Sequence, residues 1–232
     1  MIEALVLITC FRERSSVENE SEPIGTKGRI LEAAGKVFAE SGFRRATVRE
    51  ICRRAGVNIA AVNYHFRDKT GLYSATLRHW HGERFRKYPS YPATDPSQPP
   101  EKRLAAFIGQ FLSRILDEGE GSLFGRLMAW EFIEPTEGLD LAVKEGIRPV
   151  FNILAGIIRE LVGGDEPECV VRLCSASIVG QCLYFQHGRP IIRRLFPGED
   201  SMFDKELIAG HIARFSINGV KAARAGAKGE RP

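Results

Sequence analysis

The sequence predicts an all-α protein with a small N-terminal three-helix domain and a larger helical domain. Apolar residues recur every three or four positions along most of the 232 residues, and period-two alternation is nearly absent. The segment PSYPATDPSQPP (89–100) holds five prolines in twelve residues and is predicted as a loop. Charge also divides unevenly on the two sides of this segment. A chain of this length can bury a core in each of two domains.

Composition sets the predicted boundaries along the chain. They comprise a flexible leader (1–25), the small unit (26–88), the proline-rich loop (89–100), the larger unit (101–224) and a flexible tail (225–232). From Thr26 to Tyr88 there are 14 Lys and Arg against 5 Asp and Glu, and the rest of the chain holds 19 against 24. A basic unit joined to an acidic one favours a polyanionic partner for the first unit alone. On charge alone, a solvated basic face without a partner is an equal alternative.

Several classes of protein are excluded by composition. Hydrophobic residues make up 44% of the chain, which argues against global disorder. The apolar stretch Ala4–Phe11 is too short to cross a bilayer, and no basic region precedes it as in a signal peptide. The 5 cysteines form no Cys-x-x-Cys pair, so neither a disulfide framework nor a zinc site is expected. We therefore expect a soluble, intracellular protein without a metal, a cofactor or a membrane partner.

Four helices are predicted in the small unit. The first has Thr26 as its cap and ends at Gly42, and the second opens with Thr47 and Glu50 at the spacing of a capping box and ends at Gly56. The remaining two begin at the caps Asn58 and Asp68 and extend to Phe66 and Tyr88.

The second and third of these helices match a helix-turn-helix. A turn of about three residues containing Gly56 joins them, and Ile51, Ala55 and Val62 are apolar on their inner sides. No charged residue lies between Val57 and Phe66, and small and amide side chains on an outer helix face suit the edges of bases in a DNA groove. The flanking basic residues are Arg44, Arg45, Arg49, Arg53, Arg54, Arg67 and Lys69. A plain three-helix bundle is the alternative.

The stretch Thr26–Trp80 resembles the DNA-binding domain of TetR-type transcriptional regulators. The resemblance rests on Thr47-Val-Arg-Glu-Ile, Ala55-Gly-Val-Asn and Val62-Asn-Tyr-His-Phe-Arg-Asp-Lys-Thr-Gly-Leu-Tyr73. It implies phosphate contacts from Thr47 and Lys69 at helix N-termini, backbone contacts from Tyr64 and His65, and base-edge contacts from Asn58, Ile59, Ala60 and Asn63. Thr47 is a helix cap on either reading. His65 could instead pack against the fourth helix, and Lys69 could be an ordinary first-turn lysine.

Helices are predicted in the larger unit at 101–117, 122–133, 140–162 with a break at Pro149, 166–187 and 205–223. The segment 166–187 is apolar on nearly all sides, so a second subunit could cover one face of it. A two-fold homodimer through the last two long helices is therefore predicted, as the family resemblance also implies. The predicted interface residues are Ile178, Cys182, Ile208, Ile212, Phe215 and Gly219. A self-contained monomer core is the alternative.

Two further segments, Arg126–Pro135 and Gly180–Pro197, resemble the C-terminal domain of the CecR-type subgroup of these regulators. An effector pocket is predicted among the helices of this domain, because such pockets are apolar with a few convergent polar groups. The candidate residues are Phe107, Phe111, Arg126, Trp130, Glu131, Gln181 and Tyr184. The alternative is that the aromatic residues are core and that Arg126 and Glu131 form a plain ion pair.

Motifs for catalysis are absent from the sequence. It contains no His-Glu-x-x-His, Gly-x-Ser-x-Gly or phosphate-binding Gly-rich loop, and we expect no enzyme. The resemblance implies a cytoplasmic, nucleoid-associated regulator that we expect to be a repressor. It would bind a palindromic operator in duplex DNA as a homodimer, and a small-molecule effector would release it. The alternatives are an unrecognised helical enzyme and a helical protein-binding module.

Overall fold

The computed structural model describes residues 25–87, 91–116, 122–163 and 166–226. The predicted leader, apart from Gly25, and residues 227–232 of the predicted tail lie outside the described residues. Within them the chain is all-helical, as predicted. The helices are α1 (Thr26–Arg45), α2 (Val48–Ala55), α3 (Ile59–Phe66), α4 (Lys69–Lys87), α5 (Tyr91–Thr94), α6 (Pro100–Ile115), α7 (Ser122–Ile133), α8 (Glu137–Ala142), α9 (Arg148–Val162), α10 (Glu168–His187), α11 (Arg189–Leu195) and α12 (Lys205–Gly226), with a π-helical turn at Val143–Ile147 and a 3₁₀ turn at Asp200–Phe203.

The chain forms two compact units, and their boundaries differ from the composition-based ones. Unit 1 contains the chain up to His79 together with Arg126–Pro149, and unit 2 contains Trp80–Gly125 together with the chain from Val150 onward. The division falls inside α4, α7 and α9 rather than in the proline-rich segment. Composition marks where a helix must stop, whereas the units are defined by which side chains are buried together.

The core of unit 1 is built from the inward residues of α1 to α4. On α1, Ile30, Ala34 and Phe38 are completely buried at the four-residue spacing that predicted this helix, and Ile51 and Val62 are completely buried on α2 and α3.

Helix α1 departs from its predicted ends. Gly25 is its N-cap, without a side-chain hydrogen bond, so the predicted cap Thr26 is wrong and is already the first helical residue. Gly42 has a left-handed φ of 71° and kinks the helix where an end was predicted, and a last turn continues to Arg45. Glycine readily adopts a positive φ because it has no Cβ.

The proline-rich segment contains one helix that the sequence did not predict. Tyr91–Thr94 is helical although 89–100 was predicted as a loop. A proline is tolerated in the first turn of a helix, because the N–H that it lacks has no intrahelical partner there. The break or kink predicted at Pro149 takes the form of a local irregularity rather than a break, since α8, the π-helical turn Val143–Ile147 and α9 follow one another without a gap. Proline cannot donate the hydrogen bond that would have continued a regular α-helix through this point.

Unit 2 has a core of aliphatic side chains from α6, α9, α10 and α12. Leu104, Ile108, Leu154, Ile157 and Val171 are among its completely buried members. Four of the six predicted interface residues belong to this same core, namely Ile178, Cys182, Ile208 and Ile212. These four are therefore corrected to core residues, because their own chain already covers them. Phe215 and Gly219 are exposed on α12 and remain candidates for an interface.

Candidate nucleic-acid interface

Helices α2 and α3 form a helix-turn-helix in unit 1. The backbone of Gly56 is left-handed (φ 65°, ψ 40°) and ends α2, and the turn then leads through Val57 to Asn58, where α3 begins. The N–H of Val57 donates to the carbonyl of Cys52 at 3.1 Å and closes the turn. Since Ile51 and Val62 are both fully buried, the inner faces of the two helices fix the direction in which α3 presents its outer face.

The outer face of α3 lies open to solvent. We call Ile59, Ala60, Asn63 and Tyr64 the reading face, and all four are exposed, Tyr64 to 85%. His65 is also exposed, and its ring meets that of Tyr64 edge-on at a centroid distance of 5.0 Å. The alternative in which His65 is buried against the fourth helix is therefore not what the structure shows.

Side-chain caps begin both helices of the motif. The Thr47 hydroxyl accepts a hydrogen bond from the N–H of Glu50, as predicted. The reciprocal half of the predicted capping box is missing, because the Glu50 carboxylate binds Arg53 and Arg54. The side-chain oxygen of Asn58 accepts from the N–H of Ala61 at 2.9 Å and caps α3.

Lys69 has its ammonium group held by the protein. It donates to the carbonyl oxygen of Arg44 at 3.2 Å and lies 4.7 Å from the ring centroid of Phe43. Partial burial lowers the pKa of this lysine. An ammonium group has three N–H donors, so the predicted phosphate contact would use the donors that Arg44 leaves over.

The arginines that flank the motif fall into two groups. Arg53 and Arg54 bind the Glu50 carboxylate, and these hydrogen bonds, that from Arg53 first, lower the pKa of Glu50 to about 2. By contrast, Arg49 and Arg67 are exposed, and their guanidinium groups make no hydrogen bond or ion pair with any residue that the structure describes. The sequence pattern did not separate these two groups, because it shows charge but not pairing.

The joint between α3 and α4 is tightly determined. Arg67 has a φ of 73°, the single positive φ among the described non-glycine residues. The Asp68 carboxylate accepts from the N–H of Gly71 at 2.8 Å and caps α4, as predicted. A Cβ on Gly71 would lie 2.1 Å from the carbonyl oxygen of Phe66, so only glycine fits there. The orientation of α3 relative to α4 thus depends on backbone contacts that a side chain would break.

Trp130 supports the C-terminal end of α1 within unit 1. Its indole N–H donates to the carbonyl oxygen of Ala39 at 3.2 Å, and its ring lies against Gly42, 3.0 Å from where a Cβ would be. The guanidinium group of Arg45 covers the ring at 5.3 Å from its centroid. Trp130 was predicted as an effector contact, but in the structure its ring packs against α1 within unit 1.

Glu131 joins α7 to α4 through a buried polar cluster. The Tyr73 hydroxyl donates to its carboxylate at 2.6 Å, and Thr136 donates to it from its backbone N–H and from its hydroxyl, both at 2.9 Å. Tyr73 and Glu131 are 2% and 1% exposed. Burial, followed by the hydrogen bond to Glu131, raises the pKa of Tyr73. Glu131, also predicted as an effector contact, is therefore satisfied inside unit 1, and the alternative ion pair with Arg126 is not formed.

The remaining effector candidates lie in unit 2, except Arg126, which is exposed in unit 1. The rings of Phe107 and Phe111 stack in parallel on α6 at a centroid distance of 6.0 Å. The Gln181 amide donates to the carbonyl of Ser177 at 3.3 Å, and Tyr184 is half-exposed.

Arg114 is a functional candidate that the sequence did not reveal. It follows Phe107 and Phe111 on the same side of α6 and is 6% exposed, and burial lowers its pKa to about 10. Among the residues that the structure describes, no cluster of three His, Cys, Asp or Glu side chains could hold a metal ion.

A helix-turn-helix with an open outer helix, flanked by unpaired arginines, defines a DNA-binding regulator. Two family models agree with this class. The model for tetR-family bacterial regulatory proteins matches residues 30–76, and the model for the C-terminal domain of the HTH-type transcriptional dual regulator CecR matches residues 100–220, more than half of the chain. The chain therefore belongs to the TetR family of transcriptional regulators, which are not enzymes, and it has a CecR-type C-terminal domain.

Individual relatives support the same assignment. The chain is 26% identical over 174 residues to the HTH-type transcriptional dual regulator CecR of Shigella flexneri, covering 72% of this chain and 78% of that protein. It is 41% identical over 49 residues to the regulator BetI of Escherichia coli, covering 21% of this chain and 25% of BetI. The regulator FadR of Bacillus subtilis, solved in complex with stearoyl-CoA, shares the fold with a TM-score of 0.62 at 19% identity, covering 82% of this chain and 97% of FadR.

Proposed function

We propose that this regulator is a repressor that binds a palindromic operator as a homodimer and is released by a small-molecule effector. The observation that carries the proposal is the open reading face of α3, which presents an amide and small or apolar groups to solvent on a helix of the kind that enters a major groove. Arg49 and Arg67 would bind phosphates on both sides of it, together with Thr47, Tyr64, His65 and Lys69.

The homodimer is supported by an apolar surface that the single chain leaves uncovered. On α10, Leu173 and Tyr184 are 68% and 50% exposed and share one side of the helix, and Leu207 and Phe215 are 60% and 62% exposed on α12. We call these four residues the exposed apolar face. By length and composition α10 could cross a membrane, and 22% of its most apolar 18-residue window is buried in the chain. We expect a second copy to cover the exposed apolar residues of this helix, and we expect a DNA-binding regulator to act in the cytoplasm, at the nucleoid.

A small-molecule effector is supported by the structural neighbour that contains stearoyl-CoA. In this chain the effector site would lie in unit 2, around Phe107, Phe111 and Gln181, with Arg114 as its cationic group. Tyr184, predicted as an effector contact, is half-exposed and belongs instead to the exposed apolar face. Binding would shift α4 and thereby change the spacing of the two reading faces. The coupling free energy between effector and DNA would be about 1–3 kcal/mol, as is usual for allosteric proteins.

Selection of bound fragments from random duplex DNA by the purified protein tests operator binding. We expect a palindromic site with half-sites about one helical turn apart. Asn63→Ala and Tyr64→Ala should each weaken binding to this site in gel-shift titrations while circular dichroism remains unchanged. Full affinity in both variants would rule out the assigned reading face.

The salt dependence of DNA binding tests whether the open arginines bind phosphate and the arginines held by Glu50 do not. Arg49 and Arg53, both on α2, form a matched pair for this test. A plot of log affinity against log salt has a negative slope, and Arg49→Gln should make this slope less steep by about 1 for each phosphate that the variant no longer neutralises. Arg53→Gln removes the same charge from a group already bound by Glu50, and the slope should change less. Equal effects of the two variants would contradict the assignment of phosphate binding to Arg49.

A further inference from the structure

The side chains of the reading face of α3 indicate which base pairs this helix can contact. Ile59 and Ala60 stand one turn before Asn63 and Tyr64, so the four side chains form two adjacent columns on one side of the helix. Ile59 is 50% exposed, although a side chain of this kind is normally buried. No cation belongs to this face, because the exposed Arg49 lies on α2 and Arg67 lies beyond the last residue of α3.

The two asparagines of this region are chemically different in the folded protein. The side-chain oxygen of Asn58 accepts from the N–H of Ala61, which uses one of its two lone pairs and holds the amide against the backbone of α3. Asn63 is exposed, and its amide makes no hydrogen bond with any residue that the structure describes. Pairing with adenine requires an amide that turns to accept from N6 and to donate to N7 at the same time. Of the two amides, that of Asn63 can take this orientation without losing a hydrogen bond within the protein.

We propose that each operator half-site is read through A·T base pairs, with Asn63 bound to one adenine and with Ile59 and Ala60 against the methyl groups of neighbouring thymines. The proposal rests on the proposed function and adds the base chemistry of the same site. Guanine is read most often by Arg or Lys, and the reading face has neither. An exposed isoleucine gains from contact with a thymine methyl group, because both apolar surfaces leave water.

The structure therefore assigns different parts to the two asparagines. Asn58→Ser keeps an oxygen that can cap α3, so this variant should keep the thermal stability of the parent protein. Asn63→Ala removes an exposed side chain, so it should fold normally and lose the preference for adenine.

Atomic substitutions in the selected operator test the proposal. Each adenine of one half-site is replaced in turn by 7-deazaadenine, which lacks N7, and each thymine by uracil, which lacks the methyl group. At one adenine we expect about a tenfold or larger loss of affinity for the parent protein and no further loss for Asn63→Ala. At an adjacent thymine, uracil should weaken binding of the parent protein but not of Ile59→Ala.

The possible outcomes separate this inference from the proposed function. A palindromic site with no adenine coupled to Asn63, or with guanine at the coupled position, would overturn the inference and leave the operator proposal standing. An adenine whose 7-deaza substitution is coupled to Asn58 rather than to Asn63 would overturn the assigned division between the asparagines. If no specific site is recovered at all, the proposed function fails and the inference fails with it.

Discussion

Units 1 and 2 are stabilised in different ways. Unit 1 combines its apolar core with directional contacts, such as those of the Glu131 carboxylate, which accepts from Tyr73 and Thr136, and of the Trp130 indole, which donates to Ala39. Unit 2 depends on a contiguous aliphatic core, in which most members are Leu, Ile or Val. The solvent-facing surfaces of the two units also differ in polarity. In unit 1 the polar and small groups of α3 face solvent, whereas unit 2 carries the exposed apolar face.

This difference shows how each unit suits its proposed partner. Hydrogen bonds have preferred angles, so those of Tyr73 and Trp130 hold α4 and α1 in place. Helix α3 is joined to α4 through Arg67 and Asp68, and the reading of bases requires that α3 keep one orientation. Aliphatic packing is non-directional, so unit 2 tolerates changes of sequence as long as volume is conserved. Apolar surface left over from such a core favours association with another copy. The following predictions test this contrast, beginning with the largest effect.

A charge placed in the core of unit 2 should have the largest effect. Ile212 is 1% exposed, and Ile212→Asp would bury an unpaired carboxylate, which should lower the free energy of unfolding by about 4 kcal/mol or more. Phe215→Asp, three residues further on the exposed side of α12, should fold normally and give monomers in sedimentation. Equal stability of the two variants would contradict the burial of Ile212, and an unchanged dimer in Phe215→Asp would contradict the interface.

The thiol of Cys182 provides a control for this experiment. Burial raises its pKa to about 12, and the structure places it in the core of unit 2. Cys182 should therefore resist alkylation even in monomeric Phe215→Asp, whereas exposed Cys169 should react. Rapid alkylation of Cys182 in the monomer would contradict its burial in the core and support the predicted role of Cys182 in the dimer interface.

Removal of the buried hydroxyl in unit 1 should have the next largest effect. Tyr73→Phe deletes the donor to Glu131, and hydrogen bonds to charged groups contribute about 1.5–3 kcal/mol. Urea titration should show a loss of about 2 kcal/mol. Tyr64→Phe is the matched control, because Tyr64 is 85% exposed, and its stability should equal that of the parent. A similar small change in both variants would mean that the cluster does not stabilise unit 1.

High pH should weaken the parent protein more than Tyr73→Phe. Folding raises the pKa of Tyr73, so its contribution is complete below the unfolded value of about 10 and is lost as the pH rises above it. Between pH 10 and 11 the parent should lose about 1 kcal/mol more of its unfolding free energy than Tyr73→Phe, because only the unfolded tyrosine ionises in that range. Parallel curves for the two proteins would show that the folded hydroxyl ionises normally.

Loss of the cap of α2 should have the smallest effect. Thr47→Ala removes the acceptor for the N–H of Glu50, and such caps contribute about 1 kcal/mol. Thr47→Ser keeps the hydroxyl and should recover most of the stability in urea titrations. If the two variants are equally unstable, the threonine methyl group rather than the cap is the stabilising part.

The sequence determined the helix-turn-helix because its signals are local. Caps at Thr47, Asn58 and Asp68, a left-handed Gly56 and apolar spacing act within a few residues of each other, so they fixed the helix bounds and the open side of α3. Spacing alone could not say which apolar side of α10 and α12 faces inward when both sides are apolar. Only the tertiary structure placed Ile178 and Ile212 in the core and Leu173 and Phe215 in solvent.

Tertiary structure also decided which polar side chains are already engaged. Glu131 meets Tyr73 across 58 residues of sequence, and Trp130 meets Ala39 across 91. Such partners leave no periodic signal, since the hydrogen bond depends on three-dimensional proximity rather than on spacing along the chain. For the same reason composition counted Arg49 and Arg53 alike, and only the folded chain distinguishes the guanidinium group held by Glu50 from the one that remains open.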